Sequence, residues 1–114
     1  MTYRDNAGPP DDEHRLEELL VAMSREPSNA AIRADVALLQ VKVGDLDAAQ
    51  RNLRALLLSK LDATSLTKAD VFHQLAIVAE RCGERDKAIA MAERALEADP
   101  GHIAARELVA ALGR

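Results

Sequence analysis

Aromatic residues are almost missing from this chain: they make up 2% of its 114 residues, although 48% of all residues are hydrophobic. Aromatic side chains that favour strands are therefore scarce. The hydrophobic content comes mostly from Ala, Leu and Val, and Ala and Leu rank highest in helix propensity. Because only four Pro and five Gly interrupt the sequence, the composition predicts an all-α fold of one domain.

Cysteine, long apolar runs and targeting signals are equally scarce. The single cysteine, Cys82, excludes an internal disulfide. The stretch MTYRDNAGPPDDEH at the N-terminus has no apolar centre and is not a signal peptide. Apolar runs are far shorter than the roughly 20 residues of a membrane span. We therefore expect a soluble cytoplasmic protein with no membrane partner, most simply a bacterial one.

The chain also lacks an excess of basic residues, since its formal net charge is −4. Residues 1–29 hold seven acids and three bases, which accounts for the whole charge, and residues 30–114 hold twelve of each. Nucleic-acid-binding proteins usually carry a basic stripe along one face. The charge distribution therefore argues against a nucleic-acid partner.

No arrangement typical of catalysis or of metal binding is present. His14, His73 and His102 fall on three different predicted helices, with no two at the spacing of metal ligands, and we interpret them as solvated or capping side chains. The acidic run 11–13 is interpreted as a helix start with a solvated face. No catalytic triad, phosphate-binding glycine loop or paired buried carboxylates can be found. We expect a protein that is not an enzyme and has no metal or cofactor.

Apolar periodicity and helix breakers divide the chain into six helices joined by short links. Pro27, Gly44, Gly83 and Pro100 mark four of the boundaries. Thr67 and Asp70 in the stretch TKAD form a predicted capping box. Short links between helices imply antiparallel neighbours.

The segment from Phe72 to Pro100 has a regular spacing of large, small and helix-breaking residues. It reads Phe72-x-x-Leu75-Ala76-x-x-Ala79-x-x-x-Gly83 and continues as Ala88-x-x-x-Ala92-x-x-Ala95-Leu96-x-x-x-Pro100. This pattern resembles the tetratricopeptide repeat, a helix–turn–helix unit of about 34 residues. Ala79 and Ala92 depart from it, because the family often has aromatic residues there.

A looser copy of the pattern is centred on Gly44, 39 residues before Gly83. In this copy Arg33 replaces the large residue and Gln40 replaces an aromatic residue. The extra residues of this unit are placed at 59–65, between the repeats, because insertions in loops cost little.

The resemblance implies an all-α antiparallel array of helix–turn–helix repeats, a right-handed superhelix of about six helices. A flexible lead-in at 1–10 would precede a repeat domain at 11–112. Within that domain we expect a helix at 11–26, repeats at 28–60 and 67–99, and a capping helix at 101–112. The first and last helices resemble half-units, and the start at Met1 and end at Arg114 suggest a complete small protein.

The small residues of the repeat are interpreted as packing positions. Ala76 and Ala88 are expected where the two helices of one unit cross, and Ala95 where the second helix meets the next unit. Alanine allows helix axes to approach to about 8 Å. Gly83 is expected to make a turn that a Cβ atom would oppose.

Arrays of this family bind other proteins on a concave side lined by the first helix of each unit. The resemblance places the following partner-binding residues in that groove: Leu38, Val41, Lys42, Asp70, His73, Ile77 and Arg81. Such a mixture suits a short apolar peptide or an amphipathic helix with some acidic character. Alternatively, Leu38, Val41 and Ile77 pack under a neighbouring helix.

The segment LRALLLSKL at 53–61 has more leucine than one helix face buries. Either the N-terminal helix and the 61–66 loop cover it, or it is a self-association surface made of Leu56, Leu57, Leu58 and Leu61. Two functions follow from these surfaces. The first is an adaptor or scaffold that binds a peptide or helix of a partner protein, and the alternative is a structural subunit that assembles with itself, for example as a homodimer.

Overall fold

The computed structural model describes residues 11–62 and 64–113, so the predicted lead-in at 1–10 lies outside the described residues. In the described part the chain forms six α-helices and no strand. They are α1 (Asp12–Arg25), α2 (Ala30–Val43), α3 (Leu46–Leu57), α4 (Lys68–Arg81), α5 (Arg85–Ala98) and α6 (Ile103–Leu112). The predicted all-α fold is confirmed.

Four of the helices have a polar side chain just before their first residue that caps the helix. Asp11 accepts a hydrogen bond from the backbone N–H of His14, and Asn29 accepts one from Ile32. The predicted capping box at α4 is confirmed, because Thr67 and Asp70 each accept the backbone N–H of the other. At α6 the side chain of His102 caps the helix. Each cap satisfies a backbone donor that would otherwise have no partner inside the helix.

Two glycines make the turns inside the two full repeats. Gly44 has φ +87° and Gly83 has φ +79°, both in the left-handed region. The space around Gly83 is open, so the conformation and not crowding favours glycine there. The chain reverses at these turns, and α2 packs against α3 and α4 against α5.

The core is made of two clusters that meet at Phe72. The larger cluster joins α2, α3 and α4 through residues such as Ala37, Leu53 and Val71. The smaller one joins α4, α5 and α6 through Ala69, Ala95 and Ala105. Phe72 packs against both. Packing thus continues from one unit to the next, as in a repeat array.

Alanines are buried between α4, α5 and α6. Ala76, Ala88 and Ala95 have no exposed surface, and Ala95 lies against Ala105 of the following helix. The predicted burial of these small residues is confirmed. Because their side chains end at Cβ, α4, α5 and α6 approach closely without large interdigitating groups.

At three positions of the first repeat, polar side chains form a network where the second repeat has apolar residues. Asn52 donates to Gln40 Oε1 at 2.7 Å, and Arg33 donates to Asn52 Oδ1 at 2.7 Å. Arg33 also donates to the Pro27 carbonyl at 2.9 Å. The 39-residue offset pairs these three residues with Phe72, Ala79 and Met91 of the second repeat. The departures at Arg33 and Gln40 are therefore a joint replacement completed by Asn52, which the sequence alone did not identify.

The leucine-rich segment is mostly covered. Leu56 is fully buried, which corrects its place in the predicted self-association surface. Leu57 and Leu61 are partly buried against the larger core cluster, together with Leu66 of the loop. The cover over Leu56 comes from α4 and this loop, whereas the N-terminal helix packs on α2. Only Leu58 of the four, 92% exposed, is open to solvent.

We expect Ala88→Leu to destabilise the protein by about 1–3 kcal/mol, because a larger side chain overpacks the crossing of α4 and α5. Urea unfolding followed by circular dichroism measures this change. Ala90→Leu, an exposed position on the same helix, is the matched control and should leave stability nearly unchanged. Equal stability of the Ala88 variant and the wild type would contradict the packing role.

The polar network gives a second expectation. Asn52→Met should cost about 1–3 kcal/mol, because it leaves the buried Gln40 amide without its donor and Arg33 without its acceptor. The triple variant Arg33→Phe, Gln40→Ala, Asn52→Met copies the second repeat and should regain most of that loss. Unfolding free energies of both variants provide the measurement. A triple variant no more stable than Asn52→Met would show that the two repeats do not share one frame.

Candidate protein-binding surface

The first helices of the two repeats, α2 and α4, are joined by Arg81, which the sequence analysis predicted to lie in the groove. Near the C-terminal ends of α2 and α4, Arg81 donates from Nη1 to the Val41 carbonyl at 2.6 Å. Leu38 and Ile77 lie one turn earlier on these helices and are partly buried. The register of 3.6 residues per turn places Leu38 with Val41 and Ile77 with Arg81 on common helix faces.

A histidine–carboxylate pair joins α4 to α6. His102 Nε2 lies 2.8 Å from Asp70 Oδ1, and the His102 side chain is only 12% exposed. The other ring nitrogen, Nδ1, accepts the backbone N–H of Ala105 at 3.1 Å. Because Nδ1 accepts a hydrogen bond, the ring proton lies on Nε2, which donates a hydrogen bond to Asp70 Oδ1. These two contacts join the start of α6 to the Asp70 side chain on α4.

His73 completes the cluster, its ring centroid 5.2 Å from that of His102 and tilted by 44°. Burial lowers the pKa of His73 below its ordinary value of 6.5, the electrostatic interaction with His102 lowers it further, and Asp70 opposes both. For Asp70, burial raises the pKa, but hydrogen bonds from Thr67 and His102 outweigh it and leave the pKa below 3.8. The folded structure therefore favours the ionised carboxylate of Asp70 and the neutral ring of His73.

The other predicted groove residues differ in how open they are. Val41 is buried in the larger core cluster, which corrects the expectation that it faces an open groove. Ile77 packs partly against the same cluster. Lys42 is exposed, its Nζ 3.2 Å from Asp12 Oδ2. The packing alternative therefore holds for Val41, while a binding role for the remaining residues stays a prediction.

His102 is the member of this surface that sequence reasoning missed. His102 caps α6, which agrees with the capping interpretation, but its ring contacts that of His73 and is mostly shielded from solvent, which was not predicted. The signal in the sequence was the position of His102 just before a helix start, where a side-chain acceptor is needed. Asp70 is 32 residues away, so only the arrangement of the repeats brings them together.

The described residues show no further chemistry of this kind. Within 11–62 and 64–113, no group of three or more His, Cys, Asp or Glu side chains is arranged to hold a metal ion. Cys82 is a free, exposed thiol. None of the helices in these ranges is both long enough and apolar enough to cross a bilayer.

The lowered pKa of His73 predicts a pH dependence of stability. Between 6.5 and the lowered pKa, the unfolded chain binds more protons at His73 than the folded one, so stability falls as the pH drops through this window. Urea unfolding at about pH 7.5 and about pH 5.5 measures how much unfolding free energy is lost between the two. This loss should be smaller for His73→Gln than for the wild type. His14→Gln, at an exposed site, is the control and should behave as the wild type. An equal loss in all three proteins would contradict the assignment.

Comparison with known proteins agrees with this architecture. Residues 69–112, which comprise most of α4 together with α5 and α6, match a family model described as tetratricopeptide repeat. The comparison with curated proteins gives no significant match. Repeats of this family are typically non-catalytic and suggest interaction with other proteins. The segment 69–112 is thus similar to the tetratricopeptide repeat, and the packing of α5 against α4 and α6 agrees with this similarity.

Proposed function

We propose that this protein is an adaptor that binds a peptide or helix of a partner protein across its first helices, α2, α4 and α6. The observation that supports this most is the linkage of these helices. Arg81 bonds to the Val41 carbonyl between α2 and α4, and Asp70 bonds to His102 between α4 and α6. A surface fixed at both junctions is preorganised, which lowers the entropic cost of binding.

The side chains along this surface favour an apolar segment that carries acidic groups. Leu38 and Ile77 are partly exposed and offer apolar contact. Arg81 supplies positive charge, and its guanidinium has donors beyond the one used by Val41, whereas the charge of Lys42 is partly offset by Asp12. His73 adds a neutral ring that can donate or accept a hydrogen bond. An amphipathic helix with acidic residues beside its apolar stripe matches this mixture.

The alternative function is structural, with the protein acting as a subunit that associates with itself. Leu58 supports this alternative, because a leucine with 92% exposure in a leucine-rich segment is costly in water. A single leucine is a small contact compared with ordinary interfaces of about 1,600 Å². The adaptor therefore remains the leading proposal, together with a scaffold role in the cytoplasm, most simply of a bacterium.

Two matched Leu→Glu variants separate the two functions. Leu38→Glu should abolish capture of the partner, because it places a buried charge on the binding surface. Leu58→Glu should leave capture intact, since it lies on the α3–α4 loop. Affinity capture by the tagged full chain, with bound proteins identified by mass spectrometry, measures this effect, and circular dichroism verifies that both variants keep their helix content.

Light scattering on the same proteins tests the alternative. A monomer at all concentrations supports the adaptor. An oligomer that Leu58→Glu converts to monomer would support the structural subunit. Partner capture that survives Leu38→Glu would refute the binding surface proposed here.

A further inference from the structure

A second open cleft lies on the α1 side of the turn that follows α2. It is adjacent to the α2–α4 junction, because Arg81 Nη2 lies 3.8 Å from the position of a Cβ atom on Gly44. It is formed by the N-terminal half of α1 and the turn between α2 and α3, with a volume of about 530 Å³. The residues that line it are Glu13, Leu16, Glu17, Leu20, Val43, Gly44 and Asp45. Its apolar part is made of Leu16, Leu20 and Val43.

The apolar side chains of this cleft are more open than the core requires. Leu20 is 38% exposed and Val43 is 36% exposed, although both lie beside the buried Leu16. Among the described helices, α2 is the one against which α1 packs extensively. The side of α1 that faces the cleft is therefore an incomplete helix contact.

The charged side chains that line the cleft are all negative, although Arg81 lies close to Gly44 at its edge. Glu13, Glu17 and Asp45 line it, and no basic residue does. The nearby cation Lys42 is already paired with Asp12 of α1. Residues 11–26, which are α1 with its two flanking residues, hold six acids and two bases, so this segment has a net charge equal to that of the whole protein.

This charge decides which partner fits. A second copy of the chain that offered its own α1 would place carboxylates against carboxylates, and like charges across an interface cost several kcal/mol. An acidic helix of the kind suited to the first-helix surface would be repelled as well. A segment with apolar side chains flanked by Lys or Arg gains both apolar burial and attraction.

We propose that the α1 cleft is a separate docking surface for a cationic amphipathic segment of another protein. An apolar side chain of that segment would enter between Leu20 and Val43. Its basic side chains would face Glu13, Glu17 and Asp45. This surface does not depend on the proposed adaptor groove.

The probe for this proposal is a fluorescent synthetic peptide of Leu, Ala and Lys patterned as an amphipathic helix. The matched negative probe has Glu in place of every Lys. Fluorescence anisotropy with the full chain should show saturable binding of the Lys peptide only, weakening as salt is added. Glu17→Lys should weaken binding by about tenfold or more, because it puts a like charge in the cleft. Leu20→Ser should weaken it by a similar factor.

The matched control is Glu18→Lys, on the same helix but outside the cleft residues. It makes the same change in net charge and should alter the affinity by no more than about threefold, through the screened general field. Leu38→Glu, on the first-helix surface, should not weaken the binding at all. Circular dichroism must show that each variant remains helical.

Four results would overturn the proposal. They are equal binding of the Glu peptide, no saturable binding of the Lys peptide, equal losses for Glu17→Lys and Glu18→Lys, and self-association of the wild type that Leu20→Ser abolishes. A fifth contrary result is a loss with Leu38→Glu but not with Glu17→Lys. It would place the peptide on the first-helix surface, and would refute both the cleft and the acidic preference of that surface, but not its role in binding.

Discussion

The close approach of α4, α5 and α6 through alanine is the constraint on which the remaining structure depends. Ala76, Ala88 and Ala95 are fully buried, so no large side chain separates these helices. The bond between His102 and Asp70 has a length of 2.8 Å and joins α6 to α4 without a covalent link between their ends. A wider spacing at α5 would move α6 away and break it. The small residues therefore determine a polar contact that they do not touch.

The first repeat reaches the same architecture by a different balance of forces. Arg33, Gln40 and Asn52 satisfy one another where the second repeat has apolar groups. A buried polar network gains little net free energy but is costly when one member is lost. Its directional bonds act together with Ala37 and Ala49, which are fully buried and correspond to Ala76 and Ala88 of the second repeat.

Local signals account for what the sequence could predict. The capping box at Thr67, the left-handed turns at Gly44 and Gly83, and the helix periodicity act within a few residues and follow directly from the chain. The contacts of the binding surface do not. Arg81 and Val41 are 40 residues apart, and their pairing depends on the rotation between units. Likewise, the leucine pattern at 53–61 predicted a wide apolar arc, but it did not predict that α4 covers Leu56.

The separation of charge along the chain gives the two candidate surfaces different chemistry. The first-helix surface holds Lys42, His73 and Arg81, and the α1 cleft holds carboxylates. The described structure is 48 Å long, and exposed charges are screened beyond about 8 Å at physiological salt. The acidic helix therefore has little influence on the far repeat. Because a segment attracted by one surface is repelled by the other, charge alone can keep two partners from exchanging places on a single small domain.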